Sequence, residues 1–180
     1  MPATYDQLAY ELVTTAKSTV TFSNIPQTYT DLVLVGYGSQ ANADSVVFRV
    51  GSNTVDSGNN YSATWGQFSS TRTAGSDYVG ASVISNRAAN TNVAVLVGWQ
   101  ASVQTTGVFS GETQIFNYSS TSSFKTFVGT EVNTDNAGGF LENHVTTWRN
   151  TSAINIIQMF NRNGNFAVGT SFALYGIKGA

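Results

Sequence analysis

The sequence predicts an all-β protein: an antiparallel β-sandwich of jelly-roll type, folded as a single domain over residues 1–180. Three observations predict it. Apolar residues alternate with polar ones, or fill short continuous runs, as half-buried and central strands do. Clusters of Gly, Asn, Asp, Ser and Thr separate these runs at spacings near those of sandwiches and barrels. No segment sustains the period of an amphipathic helix.

In chain order, Leu8 to Thr15 is a first apolar segment. Residues 1–16 form either an N-terminal arm or an edge strand, and Tyr5, Leu8, Tyr10 and Leu12 are the candidate contacts of an oligomer arm. Next, Val20 and Phe22 point one way while Thr19, Thr21 and Ser23 point the other. Pro26 has no amide hydrogen and holds Ile25 extended, so Asn24 to Gln27 is a turn. Leu32 to Val35 is apolar on both faces and belongs in the middle of a sheet. Asp44 to Gly51 is a strand with Val46, Phe48 and Val50 inward and Arg49 outward. Ser52 to Asn60 is a long polar loop, Tyr61 to Phe68 is extended, and Ser69 to Ser76 is a loop again.

Asp77 to Ile84 is short and mixed, and Asn86 to Asn92 reads as a turn region. Val93, Val95, Val97 and Trp99 share one face of a second central strand. Val108 to Tyr118 is a strand. Over Phe124 to Val132, Phe124, Val128 and Val132 take one side, and Lys125 and Glu131 the other. Thr134 to Gly139 is a hairpin-type loop, from which Phe140 to Trp148 returns. Ile154 to Phe160 is a strand, and Asn163-Gly164 marks a tight turn with a hairpin signal. Phe166 to Ile177 is the last strand. The expected core contains Phe22, Leu32, Leu34, Phe48, Val95, Val97, Ile156, Phe172 and Leu174.

Eight basic and ten acidic residues leave a net charge of −2, so no basic stripe points to nucleic acid. Charged residues make up only 10% of the chain, while Ser, Thr and Asn make up about a third. With 41% hydrophobic residues the chain can bury a core rather than stay disordered. There is no cysteine, which excludes disulfides, thiolate metal sites and cysteine nucleophiles. The opening lacks the basic and apolar regions of a signal peptide, and no apolar run approaches a membrane span. The expectation is synthesis in a cytoplasm, with no membrane partner. The sequons at Asn60, Asn117 and Asn150 have no meaning without a secretory route.

The residues suggest no catalytic centre. His144 is the single histidine. Glu142 lies two positions away on the same strand face, but a triad also needs a marked nucleophile. Metal sites of the zinc type need several histidines or cysteines, so the expectation is that there is none. Asp56-Ser57-Gly58-Asn59-Asn60 and Asp135-Asn136 offer oxygen atoms to a cation, although such turns more often bond their own backbone. No pair of carboxylates is spaced as in a glycosidase. Trp65, Trp99 and Trp148 could stack on a sugar, although core packing is the commoner role. The expectation is therefore no enzyme, no cofactor and no metal.

Three stretches carry a resemblance. They are Ser23-Asn24-Ile25-Pro26-Gln27-Thr28-Tyr29-Thr30-Asp31-Leu32, then Gly58-Asn59-Asn60-Tyr61-Ser62, then Gly164-Asn165-Phe166 with Gly169 to Ile177. In that order the chain resembles a family of small virion structural proteins of tailed bacteriophages, from about Tyr10 to Ile177. The middle of this chain carries less charge than is typical of that family. The resemblance implies a structural protein of the virion, assembled in the bacterial cytoplasm. A capsid cement or decoration protein that bridges capsomers is the first expectation, because the chain starts at its own Met1 and has no fibre-like repeat. The alternative is a tail-fibre or receptor-binding protein that recognises a host glycan. The expected partners are copies of itself, with a trimer as the preferred state, and the major capsid protein or other virion proteins.

Overall fold

A computed structural model describes residues 5–39, 45–71, 79–97, 108–135 and 138–178. Thirteen strands and no helix are found among them. They are β1 (Tyr5–Leu12), β2 (Thr19–Ser23), β3 (Asp31–Gly38), β4 (Val46–Ser52), β5 (Thr54–Val55), β6 (Tyr61–Thr71) and β7 (Val79–Thr91). Then follow β8 (Ala94–Val97), β9 (Val108–Phe116), β10 (Lys125–Asp135), β11 (Gly138–Trp148), β12 (Ile156–Asn161) and β13 (Ser171–Ile177). Eight strands form a large sheet in the order β1-β13-β3-β9-β10-β11-β6-β7. Five others form a small sheet: β2-β12-β4-β5, with β8 also on β4. Every ladder is antiparallel, and the two sheets pack as a β-sandwich.

The core fills the space between the sheets. Val20, Phe22, Phe48, Val50, Ile157 and Met159 come from the small sheet, and Leu32, Leu34, Ile115, Phe127, Phe172 and Leu174 from the large one. The apolar run Leu32 to Val35 lies in β3, between β13 and β9, where a strand needs cover on both faces. The Ile25-Pro26-Gln27 turn is held in place. Ile25 N–H donates to Asn155 O at 3.0 Å, Gln27 Nε2 donates to Ile154 O at 2.9 Å, and Tyr118 Oη donates to Pro26 O.

Several expectations change. Ile156 and Val95 are only half-buried, whereas their neighbours Ile157, Ala94 and Leu96 are buried. Both segments are apolar on consecutive residues, so nothing in the pattern told one face from the other. The side chain of Val97, and Trp99, fall outside the described residues. Among the described residues the expected second central strand is represented by β8, a short strand paired with β4 alone. Asn86 to Asn92 is mostly not a turn, since β7 runs from Val79 to Thr91 beside β6. The Asn163-Gly164 turn joins no hairpin either. It carries the chain from β12 in the small sheet to β13 in the large one.

Residues 5–12 form an edge strand of the large sheet. β1 pairs with β13 from Tyr5↔Ile177 to Leu12↔Ser171. Asp6 fastens it, accepting a hydrogen bond from Tyr29 Oη at 3.0 Å and pairing with Lys178 at 2.7 Å. Leu8 packs against the core, while Tyr5, Tyr10 and Leu12 face solvent.

Candidate functional site

β10 alternates as the sequence predicts, and the side facing the core is the one that carries Lys125, Glu131 and Asn133. Phe124, Val128 and Val132 are exposed, whereas Lys125, Phe127, Gly129, Glu131 and Asn133 are buried. A period of two defines two faces without saying which is covered. The consequence is two unusual surfaces on one three-stranded unit: a buried polar inner face and an exposed apolar outer face.

On the inner face, register brings the polar groups into rows. Glu131 stands opposite Glu142, Gly129 opposite His144, and Gly129 also opposite Thr113 on β9. With no side chain at Gly129, the His144 ring lies over it and reaches Thr113, whose Oγ1 is 3.2 Å from Nε2. Glu131, Glu142 and His144 are each no more than 4% exposed. One donor atom from each lies within 4.8 Å of the others. His144 Nδ1, Asn133 Oδ1 and Thr146 Oγ1 are buried without a hydrogen-bond partner, all on this face. Burial disfavours charge here: it pushes the Glu142 carboxyl up to about 7 and the His144 imidazole down to about 4. At neutral pH His144 is therefore an uncharged base and nitrogen donor, and Glu142 is poised between acid and carboxylate. The expected pairing of Glu142 with His144 on one face is present; Glu131 joins them from the neighbouring strand.

The outer face is built from the same strands. Val128 stands opposite Val145, and Val132 opposite Leu141. Between these pairs Thr130 Oγ1 donates to Asn143 Oδ1 at 2.8 Å. With Val108 of β9 these side chains are between 39% and 46% exposed. Beside them Ser110, Glu112, Gln114, Val128, Thr130 and Val132 line a shallow open depression of about 370 Å³.

The Asp56 loop follows the commoner of its two readings, a turn that bonds its own backbone. Its carboxylate is already used: Oδ1 accepts from Gly58 N–H at 2.8 Å, and Oδ2 accepts from Asn60 Nδ2 at 2.9 Å and Trp148 Nε1 at 2.8 Å. Partial burial raises the Asp56 pKa, but these hydrogen bonds together outweigh it and hold the carboxyl below its ordinary value. The loop is a self-satisfied turn that clamps Trp148. Because the folded pKa lies below the unfolded one, the clamp's contribution is complete above about pH 4 and disappears as pH falls through the folded value. Asp56→Asn is expected to cost about 1–2 kcal/mol at pH 7 and less at pH 3. Urea melts of both proteins across this range check it; a cost that does not shrink in acid contradicts the assignment.

The three tryptophans do not make a sugar platform among the described residues. Trp148 is buried, Trp65 is half-buried in the row of His144, and Trp99 is outside the described residues, as is Asn136. No protein-family model matches the chain, and no curated protein is significantly similar to it.

Proposed function

We propose that this chain is a structural protein of a tailed-bacteriophage virion: a capsid cement or decoration protein that self-associates and bridges capsomers. The observation that carries this reading is the apolar outer face of β9, β10 and β11. Val108, Val128, Val132, Leu141 and Val145 stand on a sheet face with no layer of the chain described over them. Exposed apolar pairs on a sheet, set on either side of the Thr130–Asn143 row and bordered by Ser110, Glu112 and Gln114, are the kind of surface that protein contacts cover. The low charge of the chain suits the same role, because few ions need be desolvated when flat faces meet. The Ser23–Leu32, Gly58–Ser62 and Gly164–Ile177 stretches add the resemblance to virion proteins. A trimer is the preferred state, since decoration proteins commonly occupy three-fold points of a shell.

The test is the double variant Val128→Lys, Val132→Lys. Both side chains are exposed, so circular dichroism and melting temperature are expected to stay close to wild type. Self-association by light scattering, and retention on purified capsids, are expected to weaken by about 30-fold or more. A monomeric wild type whose capsid binding equals that of the variant would overturn the reading. Retention on host cells in place of capsids would transfer the role to a tail receptor-binding protein.

A further inference from the structure

The inner face of β10 and β11 holds chemistry that surface assembly does not use. Glu131 and Glu142 oppose each other directly across the ladder in a covered interior. Like charges at such a pair repel, and each carboxylate loses its water on burial. His144 adds a neutral nitrogen one row along, and the three donor atoms lie within 4.8 Å of one another. Ligand atoms held tetrahedrally at about 2.1 Å from a common ion lie about 3.4 Å apart, so side-chain movements of up to about 1 Å would bring all three onto one centre.

We propose that Glu131, Glu142 and His144 form a binding site for one divalent first-row transition-metal ion, with Zn²⁺ as the reference case. An independent observation points the same way. His144 Nδ1 is buried without a hydrogen-bond partner, while Nε2 faces Thr113 Oγ1 at 3.2 Å. A ring fixed through one nitrogen by a neighbouring hydroxyl, with the other nitrogen free, is how a ligating histidine is oriented. With Nδ1 on the ion, Nε2–H donates to Thr113. Asn133 adds a buried amide oxygen, also without a partner, on the same face two residues from Glu131. The mixed oxygen and imidazole set favours Zn²⁺, Co²⁺ or Mn²⁺ over Ca²⁺, whose ligands are all oxygen. Two carboxylates balance the two charges of the ion, and the ion ties β10 to β11 inside the sandwich.

The experiment uses the full chain, stripped with a chelator and titrated with Zn²⁺ and separately with Co²⁺. The expected result is one ion per chain, a visible Co²⁺ absorption band, and a melting temperature raised by about 5 °C or more at saturating Zn²⁺. Glu142→Gln and His144→Gln keep side-chain volume close to the original and are expected to bind at least about 10-fold more weakly. His144 is the single histidine, so its ring ¹⁵N signals report ligation in the wild-type protein even if a variant fails to fold. A Zn²⁺-induced shift centred on Nδ1 supports the site. Unmoved ring signals, or equal binding by wild type and both variants, would overturn it and leave adventitious surface binding.

Discussion

Gly129→Val is expected to destabilise the protein by about 3 kcal/mol, although valine is the better strand former. A β-carbon at Gly129 would meet His144 Nε2 at 2.2 Å, Cε1 at 2.3 Å and Thr113 Oγ1 at 2.6 Å. None of these atoms has open space to retreat into, because Thr113 and His144 are both buried. The ring would have to leave Thr113, stranding a second buried nitrogen. The strand-propensity scale spans only about 1 kcal/mol, so the clash decides the sign. The mechanism predicts coupling: in a His144→Ala background the cost of Gly129→Val is expected to fall below about 1 kcal/mol. Equal costs in both backgrounds, measured by urea unfolding, would show that the ring over Gly129 is not the cause.

The same rows show what could be read from the chain. Strands with one clean apolar face were legible. β2 buries Val20 and Phe22 between hydroxyl residues, which leaves one choice; in β4 the half-buried Arg49 marks the outer side and Val46, Phe48 and Val50 face the core, although Val47 on that outer side is buried as well. Runs apolar at every position gave the strand without its facing, and Val95 and Ile156 were placed one residue out of phase. β10 is a different case. Its exposed side is the more apolar one, so hydrophobicity points away from the core when a strand serves a contact outside the fold. The long β7 was hidden by Asn86, Asn90 and Asn92, which favour turns when read locally but here accompany a strand held by its partner β6.

The candidate site was half visible. Glu142 and His144 share a face by spacing alone. Glu131 was missed because its partner depends on hairpin register, although the signal was present. Counting outward equally from a turn centred between residues 136 and 137 places Glu131 opposite Glu142, as the ladder has it. The role of Gly129 could not be found this way, since a glycine in a strand says that space is needed without naming the ring that fills it.

Trp148→Ala is expected to cost about 4 kcal/mol, within the range for buried tryptophan. The side chain is only 1% exposed and stacks on Tyr61 at 6.5 Å between ring centroids. Tyr61 is itself anchored: its hydroxyl accepts from Val50 N–H at 3.0 Å, which joins the large sheet to the small one. The buried Lys125 covers the Trp148 ring at 6.0 Å and sends its ammonium to Ser123 O at 2.7 Å and Thr151 O at 3.2 Å. Truncation therefore opens a cavity under a buried cation and removes the indole donor to Asp56. Trp148→Phe separates the two losses. It keeps most of the ring and removes the N–H, so it is expected to cost about 1–2 kcal/mol. In that background Asp56→Asn should add less than it does alone, because the shared hydrogen bond has already gone. Denaturant melts of the wild type, the three single variants and the double variant give these differences. A sugar-stacking tryptophan would behave in the opposite way: Trp148→Ala would leave stability within about 0.5 kcal/mol of wild type and change only glycan binding.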